Sequence, residues 1–279
     1  MVLVGAFILP HGSMILDPKK NGIPKQAINL HNEMKKVVKI IDNLQPEIIF
    51  LTTPHSIALS NDYGIYLNKC ASGTAEWNGE YQEYSVNVKI NQEISNQLLN
   101  YLYGKETAIH GISAYSMSVN VPIRWGEAVP LWFLRNLSSN PECIILSQTL
   151  RRLEQTKELI LETISLGNDL RLFFEAIEKR VVIIISADLS HTHDPEGPFG
   201  FAEEAETFDK MIQKWAVSLD SKILTKKVLP LLEKALCCGF IGFLILQGMI
   251  DNKNFIPNVL IRETPTYYGM MIASYIKKH

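Results

Sequence analysis

Hydrophobic positions in this chain follow two different rhythms, and their alternation predicts the fold. Residues 2–9 (VLVGAFIL) and 47–53 (EIIFLTT) are short, continuous, largely β-branched runs, the pattern of strands covered on both faces. Between them, residues 25–44 set Ala27, Leu30, Met34, Val37, Ile41 and Leu44 at helical spacing, with Lys and Asn on the other side. Pro24 suits the first turn of that helix and Pro46 follows its last. Such a strand–helix–strand unit predicts two neighbouring parallel strands joined by a right-handed crossover.

Further along, residues 62–68 and 84–88 read as strands, possible antiparallel partners, flanking a polar loop at 71–80. Residues 91–103 read as a helix, and 112–124 show no clear periodicity. A strand is expected at 143–147, then one broken helix or two over 151–179, split near Gly167 and Asn168. Residues 181–187 (VVIIISA) are the most hydrophobic strand candidate. Helices follow at 201–217 and 228–250, the latter broken at Gly239, and strands at 255–262 and 268–276 close the chain. No linker, repeat or low-complexity stretch interrupts this order. The expectation is a single α/β domain over 1–279, with a central mixed, largely parallel sheet flanked by helices.

Composition narrows the function classes. The chain has 279 residues, 47% hydrophobic and 20% charged, with a formal net charge of -2, which is enough for a substantial core. No Lys/Arg cluster tracks a phosphate backbone, so nucleic acid is not expected as a partner. Cys70, Cys143, Cys237 and Cys238 form no CxxC pair and read as reduced thiols in a cytoplasmic protein. The apolar N-terminus lacks a preceding positive charge and a cleavage site, so it reads as a first strand rather than a signal peptide. The greasy run at 236–250 is shorter than the roughly 20 residues a membrane span needs. A soluble, non-membrane globular protein is expected, and a homo-oligomer is compatible with the sequence.

Ligands in open α/β sheets gather beyond the carboxyl ends of strands. Three hydrophobic strands here end in histidine-bearing loops: Pro10-His11-Gly12-Ser13, Thr53-Pro54-His55-Ser56, and Ala187-Asp188-Leu189-Ser190-His191-Thr192-His193-Asp194. His11 and His55 each follow a proline, which stiffens the approach of the ring, and neutral imidazole is a common ligand for Zn, Fe, Cu or Ni. A turn cap is the structural alternative for each. The loop after the third strand concentrates carboxylates and imidazoles, which suits acid/base work, although Asp188 or Ser190 could cap a turn. Cys237 and Cys238 are either small core residues or a thiolate ligand. His31 reads as solvated on the polar side of its helix, and the Trp125 and Trp132 region as core or pocket wall.

The motifs PHG at 10–12, TPHS at 53–56, WGEAVPLWFL at 125–134, ISADLSHTHDPEGPFGF at 185–201, CCGFIGFLILQGMI at 237–250 and YYGMMIASY at 267–275 occur in one order over nearly the whole chain. In these the chain resembles the class III extradiol ring-cleaving dioxygenases and their Memo-like relatives. The resemblance implies a mononuclear metal, Fe(II) in the dioxygenases, held by His11 and His55, with His191 as acid/base, Asp188 orienting it and His193 as a second polar wall. It departs in two places. No glutamate stands where the dioxygenases have their third ligand; Cys238, with Cys237 beside it, takes that position, and a thiolate equally suits Zn or Cu. Trp125 stands where a substrate-contacting histidine is common. The implied function is a metal-dependent oxidoreductase acting on a small, catechol-like aromatic. The alternatives are a non-catalytic Memo-like protein binding a metal or a peptide, and a zinc-dependent hydrolase.

Overall fold

A strand that is apolar at every position has two faces to cover, and this protein covers both. The computed structural model describes residues 3–116, 118–151 and 158–278. Its first half contains β1 (Leu3–Leu9), α1 (Lys25–Asn43), β2 (Ile48–Thr53), β3 (Tyr63–Tyr66), β4 (Cys70–Thr74), β5 (Ser85–Lys89), α2 (Gln92–Tyr103), β6 (Ile109–Ile112), β7 (Val121–Ile123) and α3 (Trp125–Leu134). The second half contains β8 (Glu142–Ser147), α4 (Glu158–Ala176), β9 (Val181–Ser186), α5 (Glu204–Ser218), α6 (Leu229–Ala235), α7 (Phe240–Met249), β10 (Phe255–Glu263) and β11 (Met270–Lys277).

Eight strands form one sheet in the order β10-β11-β1-β9-β2-β8-β3-β6, and β5-β4-β7 form a smaller one. The central run β1-β9-β2-β8 is parallel throughout, while β11 and β3 join it antiparallel. Alternate residues of each central strand enter opposite cores. Val181, Ile183 and Ile185 of β9 pack with Phe174, Trp215 and Phe243 from α4, α5 and α7. Val182 and Ile184 pack with Leu30, Met34 and Val37 from α1 and with Val129 from α3. The architecture is the expected α/β one, with a mixed, mostly parallel sheet between helices. Among the described residues, no helix is long and apolar enough to cross a membrane.

Several local expectations change. β1 and β2 are parallel but not neighbours: β9 lies between them, pairing with Ala6–Leu9 on one side and Ile48–Thr52 on the other. The segments at 62–68 and 84–88 are not partners either. β3 lies between β8 and β6, while β5 pairs with β4, a strand inside the expected loop. The aperiodic stretch contains β7, three residues long and paired with β4. His31 is buried rather than solvated, with Nδ1 2.8 Å from the Ile15 carbonyl oxygen.

The helix expected to break near Gly167 continues through it as α4; residues 152–157 of that segment and Val2 of the first strand lie outside the described residues. Gly167 is there for close packing. A Cβ on it would lie 2.0 Å from the Ile245 carbonyl oxygen of α7, and one on Gly248 would lie 2.0 Å from the Ile164 carbonyl oxygen. Gly167→Ala is therefore expected to destabilise the protein by about 1–3 kcal/mol through overpacking, read as a lower urea midpoint with an unchanged slope.

Candidate metal centre

Because β1, β9 and β2 lie side by side in parallel, their carboxyl ends place three loops together. Leu9 leads through Pro10 to His11, Thr53 through Pro54 to His55, and Ser186 through Ala187 to Asp188 and His191. The two imidazoles of His11 and His55 meet edge to face, with centroids 4.8 Å apart. Cys238 arrives from the turn between α6 and α7. That turn is fastened to the β9 loop by hydrogen bonds from Gly239 N–H to Asp188 O (3.2 Å) and from His191 N–H to Ala235 O (2.8 Å). Ligand atoms of His11, His55 and Cys238 all lie within 4.8 Å of one another.

The hydrogen bonds around His11 fix which nitrogen is available. The Ser186 hydroxyl donates to the Gly126 carbonyl, so at its 3.1 Å contact with His11 Nδ1 it accepts. His11 therefore carries its proton on Nδ1 and a lone pair on Nε2, the arrangement a metal-binding imidazole requires. Nε2 lies 3.5 Å from Cys238 Sγ and 3.3 Å from Asp188 Oδ2, while the His11 backbone N–H donates to Asp188 Oδ1 (3.2 Å).

Burial keeps all of these groups uncharged without an ion. It pushes His11 well below the ordinary imidazole range, with His55 and His191 adding to the effect. His55 is lowered to about 4, by burial and then by His191. Burial, and then Asp188, push the Cys238 thiol well up, and burial raises Asp188 to about 8 against the pull of the His11 N–H. The close His11–Asp188 contact is thus one between a neutral imidazole and a protonated carboxyl at neutral pH. A divalent cation reverses this balance by favouring thiolate and carboxylate. The donor set fits such an ion. A nitrogen and a sulfur on one tetrahedral ion stand roughly 3.5 Å apart, from bonds of about 2.0 and 2.3 Å, which is the His11–Cys238 separation found.

These residues floor a cavity of about 240 Å³ whose walls are Trp77, Trp125, Phe199, Tyr267 and Tyr268. Trp125 stands 5.2 Å from His55 and 4.8 Å from Trp77. His191 lines the same cavity, stacked on Tyr268 at 5.4 Å and 14°. Its Nδ1 lies 2.9 Å from the Leu189 carbonyl oxygen, to which it can only donate, so its Nε2 carries the lone pair.

Two expected placements differ, those of Asp188 and His193. Asp188 engages His11 rather than orienting His191. His193 does not line the cavity, because its Nε2 is held 2.9 Å from Asp209 Oδ2. Cys237 lies outside the donor set, its thiol donating to the Asp188 carbonyl. Glu127, a buried acid raised to about 7 by burial, does not line the cavity: it accepts from the Arg124 N–H and the Tyr66 hydroxyl and so caps α3. Ser186, Trp77, Phe199 and the Tyr267–Tyr268 pair were not singled out from the sequence. Ser186 and the tyrosines fall within quoted motifs, but nothing local marks them as facing a cavity.

Residues 5–276 match the family of the catalytic LigB subunit of aromatic ring-opening dioxygenase. The chain belongs to this family. Its dioxygenases cleave aromatic rings and use a mononuclear metal. Protein CA_C1420 of Clostridium acetobutylicum is 24% identical over 278 residues, covering 97% of this chain and 57% of that protein. The chain thus spans little more than half the length of this curated relative. The crystal structure of uncharacterized protein JW3007 from Escherichia coli K12 shares the fold, with a TM-score of 0.62 at 11% identity, covering 97% of this chain and 99% of that one.

Two outcomes follow from this geometry. Ser186→Ala frees the His11 tautomer and is expected to weaken zinc binding about 10- to 100-fold, measured by competition with a chromophoric chelator. In metal-free protein, the Asp188 carboxyl titrates at about 8 when folded and near 4 when unfolded. The folded state binds that proton more tightly, so stability falls as pH rises through this window. Asp188→Asn should therefore gain stability relative to the native sequence between pH 5 and pH 8, read by urea unfolding in chelator.

Proposed function

We propose that this chain, as one extradiol-dioxygenase-like domain over 1–279, is a metal-dependent oxidoreductase acting on a small catechol-like aromatic. The observation that carries this reading is a cluster of three ligand residues, His11, His55 and Cys238, on the floor of an aromatic-walled cavity. Those three residues would hold a single ion, Fe(II) by family likeness, which when bound supplies Lewis acidity and open positions for substrate oxygens and dioxygen. The cavity walls bind the ring by aromatic contact and exclude water. His191 moves the proton: its Nδ1 is occupied by the Leu189 carbonyl and burial keeps the ring neutral, so Nε2 is a base for a substrate hydroxyl. Asp188 serves His11, keeping its backbone and ring in place.

Cys238 favours one second reading. A thiolate in place of a carboxylate suits zinc, and the same site would then activate water for hydrolysis. A non-catalytic Memo-like binding protein is the outcome if neither chemistry occurs.

Oxygen uptake by iron-loaded protein across a catechol panel tests the proposal. Turnover is expected, falling roughly 10²- to 10⁴-fold in His191→Ala with catechol binding retained. A fully iron-loaded protein that consumes no oxygen with any catechol overturns it, and hydrolysis by the zinc-loaded protein would establish the second reading.

A further inference from the structure

The β9 loop is held by a buried acid that lies outside the cavity. Asp209 sits in mid-α5, fully buried, and its carboxylate is spent on residues flanking His191. Oδ1 accepts from the Ser190 N–H at 3.0 Å and the Ser190 hydroxyl at 2.6 Å, and Oδ2 lies 2.9 Å from His193 Nε2. A buried carboxylate is costly unless its oxygens are hydrogen-bonded or paired, and here the hydrogen bonds go to Ser190, just before one cavity histidine, and to His193, two residues after it. The segment preceding β11 is shaped around it: a Cβ on Gly269 would lie 2.2 Å from Asp209 Oδ2. Gly269 in turn exchanges backbone hydrogen bonds with the loop, donating to Ser190 O at 2.9 Å and accepting from the Leu189 N–H at 2.8 Å.

We propose that Asp209 is the positioning residue for His191, gripping Ser190 and His193 on either side so that the ring is held against Tyr268 and into the cavity. This rests on the reading of His191 as the acid/base. It also gives His193 a place: that side chain is a strut and not a wall of the site. Other titratable groups around the His191 ring are Tyr267 and Tyr268 from the segment before β11, and His11, His55, Asp188 and Cys238 in the same cavity, while the Leu189 and Leu236 carbonyls also favour its protonated form. Asp209 carries a negative charge that favours the protonated ring, opposing the effects of burial and of His193. Removing that charge while keeping the side chain's shape is therefore expected to lower the pH at which His191 titrates, and a fall in kcat with catechol affinity retained separates positioning of the ring from a purely structural role.

The test uses full-length, zinc-loaded protein with ¹³C-labelled histidine, the His191 signal being assigned from His191→Ala. Asp209→Asn is expected to shift the His191 titration to lower pH, and in iron-loaded protein to cut kcat for oxygen-dependent turnover about 10- to 100-fold, as misplacement of a catalytic group does. Affinity for 4-nitrocatechol should stay within about twofold, because the donor residues and the aromatic walls keep their own contacts and only the His191 ring is displaced. Gly269→Ala, which keeps the charge but displaces the carboxylate, should move the signal the same way and covers the case in which Asp209→Asn does not fold. An unmoved His191 titration in a folded variant overturns the proposal, whether or not the native protein turns over a catechol. Absence of turnover in the native protein would instead count against the proposed function and leave the positioning role to the titration result.

Discussion

Burial without compensating charge governs this site. His11 and Asp188 are buried at the ends of adjacent strands, Cys238 reaches them half-buried from the turn before α7, and each is pushed towards its neutral form. A thiol, a carboxyl and two imidazoles crowded together on the floor of one cavity are poorly matched to one another. A single cation satisfies all of them, because it stabilises the anionic forms and accepts the imidazole lone pairs. Ser186 is the hinge of this arrangement. It relays the Gly126 carbonyl of α3 to His11 Nδ1 and so turns the Nε2 lone pair towards Cys238.

The sheet converts that local chemistry into a site. β9 runs between β1 and β2, so the loop that carries Asp188 and His191 lies between the loops of His11 and His55 rather than to one side. The turn before α7 is stitched to the same loop through the Asp188 carbonyl and the His191 N–H. The segment before β11 contributes Tyr267 and Tyr268 as walls while pairing with Leu189 and Ser190. One loop therefore joins His11, the turn that carries Cys238 and the segment before β11, and Asp209 holds it from outside the cavity.

The strands and the histidine loops were legible in the sequence because both are local signals: continuous apolar runs for the strands, and a residue following each run for the site. Cys238 was named through family likeness, and its Sγ lies 3.5 Å from His11 Nε2. What failed to show was non-local. The insertion of β9 between β1 and β2 depends on pairing over more than a hundred residues, which periodicity does not encode. β4 was hidden because its residues, Cys70–Thr74, are small, put only Ala71 fully into the core, and pair with β5 and β7. His31 looked exposed on its helix, yet the chain from Ile15 folds over it and supplies an acceptor. Asp188 and His193 had the right residue types for acid/base work, but their partners, His11 and Asp209, are distant in sequence.

The central claim is that His11, His55 and Cys238 bind one ion together, and X-ray absorption at the zinc edge tests it directly. The zinc-loaded protein should show imidazole scattering together with one sulfur at about 2.3 Å, and Cys238→Ser should lose that sulfur. A shell of nitrogen and oxygen alone in the native protein would contradict the account.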